Sequence, residues 1–85
     1  MTNLEQVLYD LVIPMVEEKD QLEVHEVTDS DAREVVLEVR ATNEDVARLI
    51  GRKGSMASAL RQVMSVASHR ENKKVSIRFE EREEA

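Results

Sequence analysis

Four consecutive residues, Gly51-Arg52-Lys53-Gly54, have the types and spacing that suit binding of an anion. Glycine at both ends lets the backbone turn sharply and approach a ligand without a Cβ in the way. Arg52 and Lys53 place two cations at the turn. A helix predicted to follow would direct unpaired N–H groups and the positive end of its dipole toward the same point. Together these features suit the phosphate groups of a nucleic acid backbone.

Neighbouring residues could complete such a site. Ile50 would supply an apolar floor for unstacked bases, and Ser55 is expected to cap the helix that follows. Arg48 and Arg61 add positive charge before and after the loop. We therefore predict a site for a single-stranded nucleic acid, RNA or DNA, that is formed by the following residues: Arg48, Ile50, Gly51, Arg52, Lys53, Gly54, Ser55 and Arg61.

The same segment has plainer interpretations. Gly51 could simply end one helix and Gly54 could be a turn residue, since two glycines three positions apart are common. A protein-interaction module is the main alternative, because a helix-loop-helix with Met56 and Met64 could dock a partner, although methionines at helical spacing favour a core position. The dependence of binding on salt concentration distinguishes RNA binding from protein interaction. RNA binding should fall at moderate salt and depend on the two basic loop residues, whereas an apolar contact should survive both changes.

The first half of the chain predicts a helix and a hairpin. Apolar residues at helical spacing indicate an amphipathic helix over roughly residues 3–18, with a distortion at Pro14, which lacks a backbone donor. Alternation of apolar and polar residues around 22–25 and again around 35–40 indicates two strands that pair as a hairpin.

The second half predicts two helices and a final strand. Thr42 can cap a short helix that Gly51 ends, and the acids Glu44 and Asp45 suit its positive end. A longer amphipathic helix follows the loop, and residues 75–79 alternate as a strand. The order is α-β-β-α-α-β. It predicts an α+β fold in which three helices cover one face of a three-stranded mixed sheet, the last strand running parallel to a hairpin strand.

Length and composition predict one small domain. The 85 residues are 41% hydrophobic and 35% charged, so we assign residues 1–80 to the domain and residues 81–85 to an acidic, disordered tail. The chain contains no cysteine and no apolar run long enough for a signal peptide or a membrane span. We expect a cytoplasmic protein with no cofactor, no metal and no membrane partner.

The charge distribution bears on an apparent conflict with RNA binding. A net charge of −6 would oppose a polyanion, but residues 46–79 contain eight basic residues and one acid, Glu71. That segment therefore carries +7, and the rest of the chain carries −13. This distribution is compatible with a basic face in acidic surroundings, since the local potential matters more to a polyanion than the total charge, and equally with a helix and a strand that carry solvated charges.

Catalysis is not expected. His25 and His69 are the candidates for an acid or base, but they lie far apart in the sequence, and we interpret both as surface residues. The aromatic residues, Tyr9 and Phe79, are too few for RNA-binding sheets that stack bases on exposed aromatic rings. The sequence predicts a binding protein and not an enzyme.

The element order and the Gly-x-x-Gly loop with two basic residues resemble a KH domain of the second topological type, whose loop clamps about four nucleotides. The likeness covers nearly the whole chain. The segments 44–46, 49–51 and 59–61 are similar in place and spacing to the KhpA (YlqC) family of small bacterial stand-alone KH proteins. Members of that family commonly carry a basic residue after the second glycine, where this chain has Ser55, so Arg52 and Lys53 are expected to compensate.

This resemblance implies an RNA chaperone that works with a second KH protein, KhpB or Jag, in post-transcriptional regulation linked to cell-envelope synthesis and cell shape. A site of about four nucleotides gives little affinity alone, so we predict a homodimer or a heterodimer with that second KH protein. The expected contact surface surrounds the loop and includes Leu49, Ile50 and Met56.

Overall fold

A computed structural model describes residues 3–28, 34–69 and 74–82. Within these ranges the elements follow the predicted order α-β-β-α-α-β, and short 3₁₀ turns occupy Ile13–Met15, Lys19–Gln21 and Arg52–Gly54. The helices and strands are α1 (Leu4–Val12), β1 (Glu23–Thr28), β2 (Glu34–Ala41), α2 (Asn43–Ile50), α3 (Ser55–Ser68) and β3 (Lys74–Glu81).

The sheet is mixed, as predicted, and has the order β1-β2-β3. Strand β1 pairs antiparallel with β2, and β3 pairs parallel with β2. In this register Leu37 of the central strand lies between Glu26 of β1 and Ile77 of β3. The parallel pairing is possible because α2 and α3 form the long crossover that parallel strands require.

The core lies between the inner face of the sheet and the three helices. Alternate residues of β2 are buried, as the period of a strand requires. Each helix contributes one apolar stripe, so the two-layer α+β fold is confirmed. The buried apolar residues of β2 and the helices are Val35, Leu37, Val39, Ala41, Leu4, Leu8, Val12, Val46, Leu49, Leu60 and Met64.

Helix α1 is shorter than the sequence predicts. The α-helix ends at Val12, where the N–H of Ile13 donates to the carbonyl of Tyr9, and the chain continues as a 3₁₀ turn through Pro14. Proline has no N–H for the carbonyl four residues earlier, and its ring clashes with that carbonyl. Val16 is nevertheless buried, so the apolar pattern beyond the proline reaches the core without a helix.

A single basic face does not form among the described residues, because β3 carries part of the basic segment to the other side of the sheet. Lys74 and Arg78 pair with Glu34 and Glu38 of β2, whose side chains lie on the outer face. Arg78 lies 3.7 Å from Glu80 on that face. The basic residues of α2, α3 and their connection lie on the helical side, so the described basic residues of this segment are divided between two surfaces.

The domain extends past the predicted boundary at residue 80. Strand β3 continues to Glu81, and the N–H of Arg82 donates to the carbonyl of Ala41 at 2.8 Å. The Arg82 guanidinium also donates to the carbonyl of Gln21 and lies 3.2 Å from Glu23. Two residues assigned to a disordered tail are therefore part of the fold, and residues 83–85 lie outside the described part of the chain.

A buried carboxylate fixes the start of α2. Asp45 is fully buried, and its two oxygens accept hydrogen bonds from the N–H groups of Glu17 and Glu18, each at 3.0 Å. Arg48 donates to the same carboxylate at 2.7 Å. The connection between α1 and β1 is thereby held against α2. The sequence predicted for Asp45 only a favourable interaction with the helix dipole, whereas in the structure its carboxylate joins two segments of the fold.

Burial acts to raise the pKa of Asp45, but the hydrogen bonds from Glu17, Glu18 and Arg48 outweigh burial and lower the pKa below its usual value of 3.8. Because the folded pKa lies below the unfolded pKa, the ionised carboxylate stabilises the fold above the unfolded pKa. This stabilisation is lost as the pH falls through the folded pKa. Across neutral pH the contribution stays constant.

We expect Asp45→Asn to lower the free energy of unfolding by about 2–3 kcal/mol at pH 7, because the amide has only one accepting oxygen and leaves one part-buried backbone N–H and Arg48 without their partner. Glu44→Gln, at the adjacent exposed position, removes the same charge and should change stability by less than about 0.5 kcal/mol. Urea unfolding followed by circular dichroism measures the free energy of unfolding of each variant. Equal effects of the two variants would show that the buried hydrogen bonds contribute little.

Candidate nucleic-acid interface

Helix α2 brings the Gly-x-x-Gly segment to the surface at its C-terminal end. The Thr42 side chain accepts from the N–H of Asp45, which confirms the predicted cap, and the N–H of Gly51 donates to the carbonyl of Ala47 at 3.0 Å as the helix ends. The helix is only eight residues long. The loop therefore lies about 12 Å from the capped start of α2, at a rise of 1.5 Å per residue.

Three of the four loop residues have positive φ. Gly51 has φ 76° and ψ 174°, a region that essentially only glycine adopts, and Gly54 has φ 76° and ψ 14°. Lys53 also lies in the left-handed region, at φ 56° and ψ 27°. The N–H of Gly54 donates to the carbonyl of Gly51 at 3.1 Å and closes the turn. Since a lysine rarely adopts this conformation, the loop holds Lys53 in a fixed, mildly strained position.

The two glycines have different roles. A Cβ added to Gly51 would lie 2.8 Å from Cβ of Met56 and 2.9 Å from its backbone nitrogen, so the chain passes directly against the first turn of α3. A Cβ added to Gly54 would meet no atom within 4 Å. Gly51 thus provides both backbone freedom and close packing, whereas Gly54 provides only backbone freedom.

Ser55 does not cap α3, contrary to the sequence prediction. The capping position is Gly54, which has no side chain, and Ser55 is the first helical residue with φ −63° and ψ −40°. A capping side chain requires an extended backbone, and the left-handed turn leaves Ser55 already helical. Its exposed hydroxyl lies beside the loop, 3.2 Å from the position of a Cβ at Gly51.

The loop cations are exposed. Within the described residues, neither Arg52 nor Lys53 forms an ion pair, and neither backbone N–H donates a hydrogen bond. Two charged side chains and two backbone donors are therefore available to a ligand at one turn. Exposed Arg61 lies farther along α3, about 9 Å from Ser55 at 1.5 Å per residue.

Arg48 has a structural role that the sequence did not reveal. Its guanidinium lies 2.7 Å from Asp45 and 3.2 Å from Glu17, so its charge is already balanced at the start of α2. A phosphate could bind Arg48 only by competing with these two carboxylates. Direct contact of Arg48 with RNA stays a prediction, which the geometry disfavours.

The apolar residues beside the loop divide between core and surface. Ile50 is 37% exposed, as an apolar floor for bases requires, whereas Leu49 is fully buried. Met64 lies in the core as expected, but Met56 is exposed, so the predicted core position of Met56 is wrong. The predicted inclusion of Leu49 in a contact surface is also wrong, because the side chain is already covered by the fold.

A cleft on the described part of the chain does not contain the loop. It has a volume of about 780 Å³ and surrounds the start of α2. Its lining includes four exposed carboxylates, and both of its arginines are paired with acids. These carboxylates would repel phosphate, so the shallow loop and not the cleft is the candidate site. The four exposed acids are Glu17, Glu18, Glu44 and Glu81.

The described residues bring no other reactive groups together. His25 and His69 are both exposed, as predicted, and lie on the outer sheet face and at the end of α3. No group of three or more metal-ligating side chains lies within residues 3–28, 34–69 and 74–82. In those same ranges no helix is long and apolar enough to span a membrane.

The elements follow the order α-β-β-α-α-β, the sheet is mixed and three-stranded, and a Gly-x-x-Gly turn joins the two adjacent helices. This combination defines a KH domain of the second topological type. The sequence model of the KhpA/KhpB KH domain matches residues 5–79. This chain belongs to that family.

Curated relatives support the same assignment. The RNA-binding protein KhpA of Clostridium acetobutylicum is 32% identical over 74 residues, covering 87% of this chain and 96% of the relative. KhpA of Clostridium perfringens is 33% identical over 63 residues, which are 74% of this chain and 81% of the relative. KhpA of Borreliella burgdorferi is 25% identical over 67 residues, 79% of each chain. No solved structure matches this chain significantly. The family is one of binding proteins, which confirms that this protein is not an enzyme.

The different surroundings of the two glycines lead to a prediction about stability. We expect Gly54→Ala to lower the free energy of unfolding by about 1–2 kcal/mol, the cost of a left-handed backbone for alanine. Gly51→Ala should cost more, about 3 kcal/mol, because it adds a clash with Met56 to a conformation reserved for glycine. Urea unfolding compares the two variants. Equal losses would mean that the approach of Gly51 to Met56 relaxes freely.

Proposed function

We propose that this protein binds single-stranded RNA through the loop of residues 51–54. The observation that carries the proposal is the pair of exposed cations, Arg52 and Lys53, which form no ion pair within the described residues and whose own backbone N–H groups donate no hydrogen bond there. Cations and N–H groups at one point suit consecutive phosphates of a single strand. Curated relatives are named RNA-binding proteins, which supports the choice of RNA as the nucleic acid.

The surroundings of the loop limit how bases could be recognised. Ile50 offers an apolar contact beside the turn, but Phe79 is only partly exposed and Tyr9 belongs to α1 on another part of the core. Stacking on aromatic rings therefore contributes little. We propose a short footprint of about four nucleotides, held by the backbone and ordered by shape more than by aromatic stacking.

Reversing the loop charge should abolish this binding. We expect Arg52→Asp with Lys53→Asp to remove detectable RNA affinity and leave the fold intact, since both side chains are exposed and aspartate tolerates the left-handed position better than most residues. Fluorescence anisotropy with a labelled single-stranded RNA measures the affinity, and circular dichroism checks the fold.

The matched control reverses two exposed charges on the outer face of the sheet, Lys74→Glu with Arg78→Glu. It changes the net charge by the same amount and should reduce affinity only slightly, because charges far from the phosphates are screened. Equal losses in both double variants would show that total charge, and not the loop, controls binding.

A second surface supports self-association. Helix α3 carries an exposed apolar stripe, which consists of Met56, Ala59, Val63 and Val66. These residues lie at helical spacing, and Val66 is 76% exposed. The helix has one charged residue, Arg61, among fourteen, in a chain that is 35% charged. A helix with so few charges and a continuous apolar stripe is typical of a contact surface.

We propose that the stripe pairs with the stripe of a second copy. Small residues such as Ala59 let two helices approach closely, and the face carries no acid, so it avoids the repulsion expected elsewhere between copies of net charge −6. The KH domain of KhpB is the alternative partner, since the same family model describes both kinds of chain. A second copy would place two Gly-x-x-Gly loops in one complex.

An aspartate in the stripe should prevent pairing. We expect Val63→Asp to give a monomer at concentrations where the native protein dimerises, because pairing would bury the new charge without a partner. Val27→Asp is the control, since Val27 is similarly exposed, 41% against 46%, but lies on the outer sheet face. Sedimentation equilibrium reports the mass. A strict monomer for the native protein at high micromolar concentration, alone and mixed with a KhpB partner, would contradict the proposal.

The wider role follows from family resemblance alone. We propose an RNA chaperone of the cytoplasm, where its RNA ligand is found, that works with KhpB or Jag in regulation linked to cell-envelope synthesis and cell shape. Affinity purification of the tagged chain from its own cells tests the partnership. Recovery of a KhpB protein with Val27→Asp but not with Val63→Asp would support it, and recovery with both variants would place the partner elsewhere.

A further inference from the structure

The loop of residues 51–54 lies at one end of the α3 stripe, so pairing through the stripe would fix the distance between the loops of two copies. The loop joins α3 at its first residue, Ser55, and the stripe begins one residue later at Met56. Gly51 packs directly against Met56. In each copy the loop of residues 51–54 is therefore attached rigidly to one end of α3, the proposed contact helix.

The charges of the loop favour one direction of pairing. A parallel arrangement of two α3 helices would bring both loops together and place four exposed cations side by side, two Arg52 and two Lys53 side chains. An antiparallel arrangement separates the loops and also opposes the two helix dipoles. Charge thus favours the antiparallel pair, which a two-fold axis across the helices produces.

The separation of the two loops follows from the geometry of α3. The middle of the stripe lies near residue 61, about six residues or 9 Å from the start of the helix. Two antiparallel helices that cross there place their loops about 18 Å apart along the helices and about 8–10 Å apart sideways. The two sites are thus about 20 Å apart, and each holds only about four nucleotides.

A two-fold axis also reverses every direction that lies across it. Two RNA segments bound at identical loops therefore run in opposite directions if each segment lies across the axis. We propose that they do, so that the paired protein holds two single-stranded RNA segments side by side, antiparallel and about 20 Å apart, and thereby promotes annealing of complementary strands. This inference rests on the proposed RNA loop and on the proposed pairing through α3. Only the clamped nucleotides are occupied, so flanking nucleotides remain free to form base pairs.

Two linked RNAs test whether the two bound segments run in opposite directions. Two hexauridylates are joined through the same flexible spacer of about 20–30 Å, either 3′ to 3′ or 3′ to 5′, and hexaadenylates are tested in the same way. Segments that lie side by side and antiparallel bring the 3′ end of one next to the 5′ end of the other, as in a hairpin, so only the 3′ to 5′ compound spans both sites with a spacer of this length. We expect it to bind the native protein and Val27→Asp at least about ten-fold more tightly than the 3′ to 3′ compound, since a correctly spanned second site raises the effective concentration.

The variants distinguish the possible failures. Val63→Asp should bind both linked compounds equally and with the affinity of a single hexanucleotide, and Arg52→Asp with Lys53→Asp should bind none. Equal affinity of the native dimer for both compounds would overturn the antiparallel arrangement but would not contradict RNA binding by the loop of residues 51–54. Undiminished hexanucleotide binding by the double loop variant, or no binding of either homopolymer by the native protein, would instead overturn the proposed function.

Annealing is measured separately, from the fluorescence transfer between two complementary, labelled oligoribonucleotides. We expect the native protein and Val27→Asp to accelerate annealing about ten-fold or more over the uncatalysed rate, and Val63→Asp to lose that acceleration while it keeps its hexanucleotide affinity. Equal acceleration by Val63→Asp would show that annealing needs only one loop and would contradict the proposed mechanism.

Discussion

The arrangement of this domain depends on how firmly the short helix α2 is held at its two ends. At the first end the buried Asp45 carboxylate accepts from the N–H groups of Glu17 and Glu18, so the connection after α1 cannot move away from α2. At the other end Gly51 lets the chain turn directly against Met56. Eight residues give α2 too few internal hydrogen bonds for independent stability, so these two tertiary anchors fix where the loop lies.

The same helix separates two electrostatic environments. Its start is surrounded by four exposed carboxylates, whereas its end carries the exposed cations Arg52 and Lys53. Arg48 lies between them in sequence, but its ion pairs with Asp45 and Glu17 assign it to the acidic end. A strongly negative protein can therefore present a small positive site, because short-range potential at the loop outweighs the screened charge farther away.

Helix α3 has a buried side and an exposed apolar side. Leu60, Met64 and Ser68 are buried against the rest of the fold, while the α3 stripe remains exposed on an adjacent side. Because the loop is attached to the first turn of this helix, a partner on the stripe and an RNA on the loop would contact neighbouring residues. If copies pair as proposed, this proximity would combine two weak, short RNA contacts in one complex.

The sequence by itself determined the order of the elements, the Thr42 cap, the mixed sheet and the residues of the loop, because these features depend on local periodicity and on backbone restrictions of glycine. Only the tertiary structure decided which cations are free. Sequence position could not show that Arg48 meets the carboxylates of Asp45 and Glu17, or that the alternation of β3 carries Arg78 to the opposite face. It could not separate Met56 from Met64 either, since both fit one helical pattern. Charge pairing and burial are set by contacts between segments distant in the chain, which no local pattern encodes.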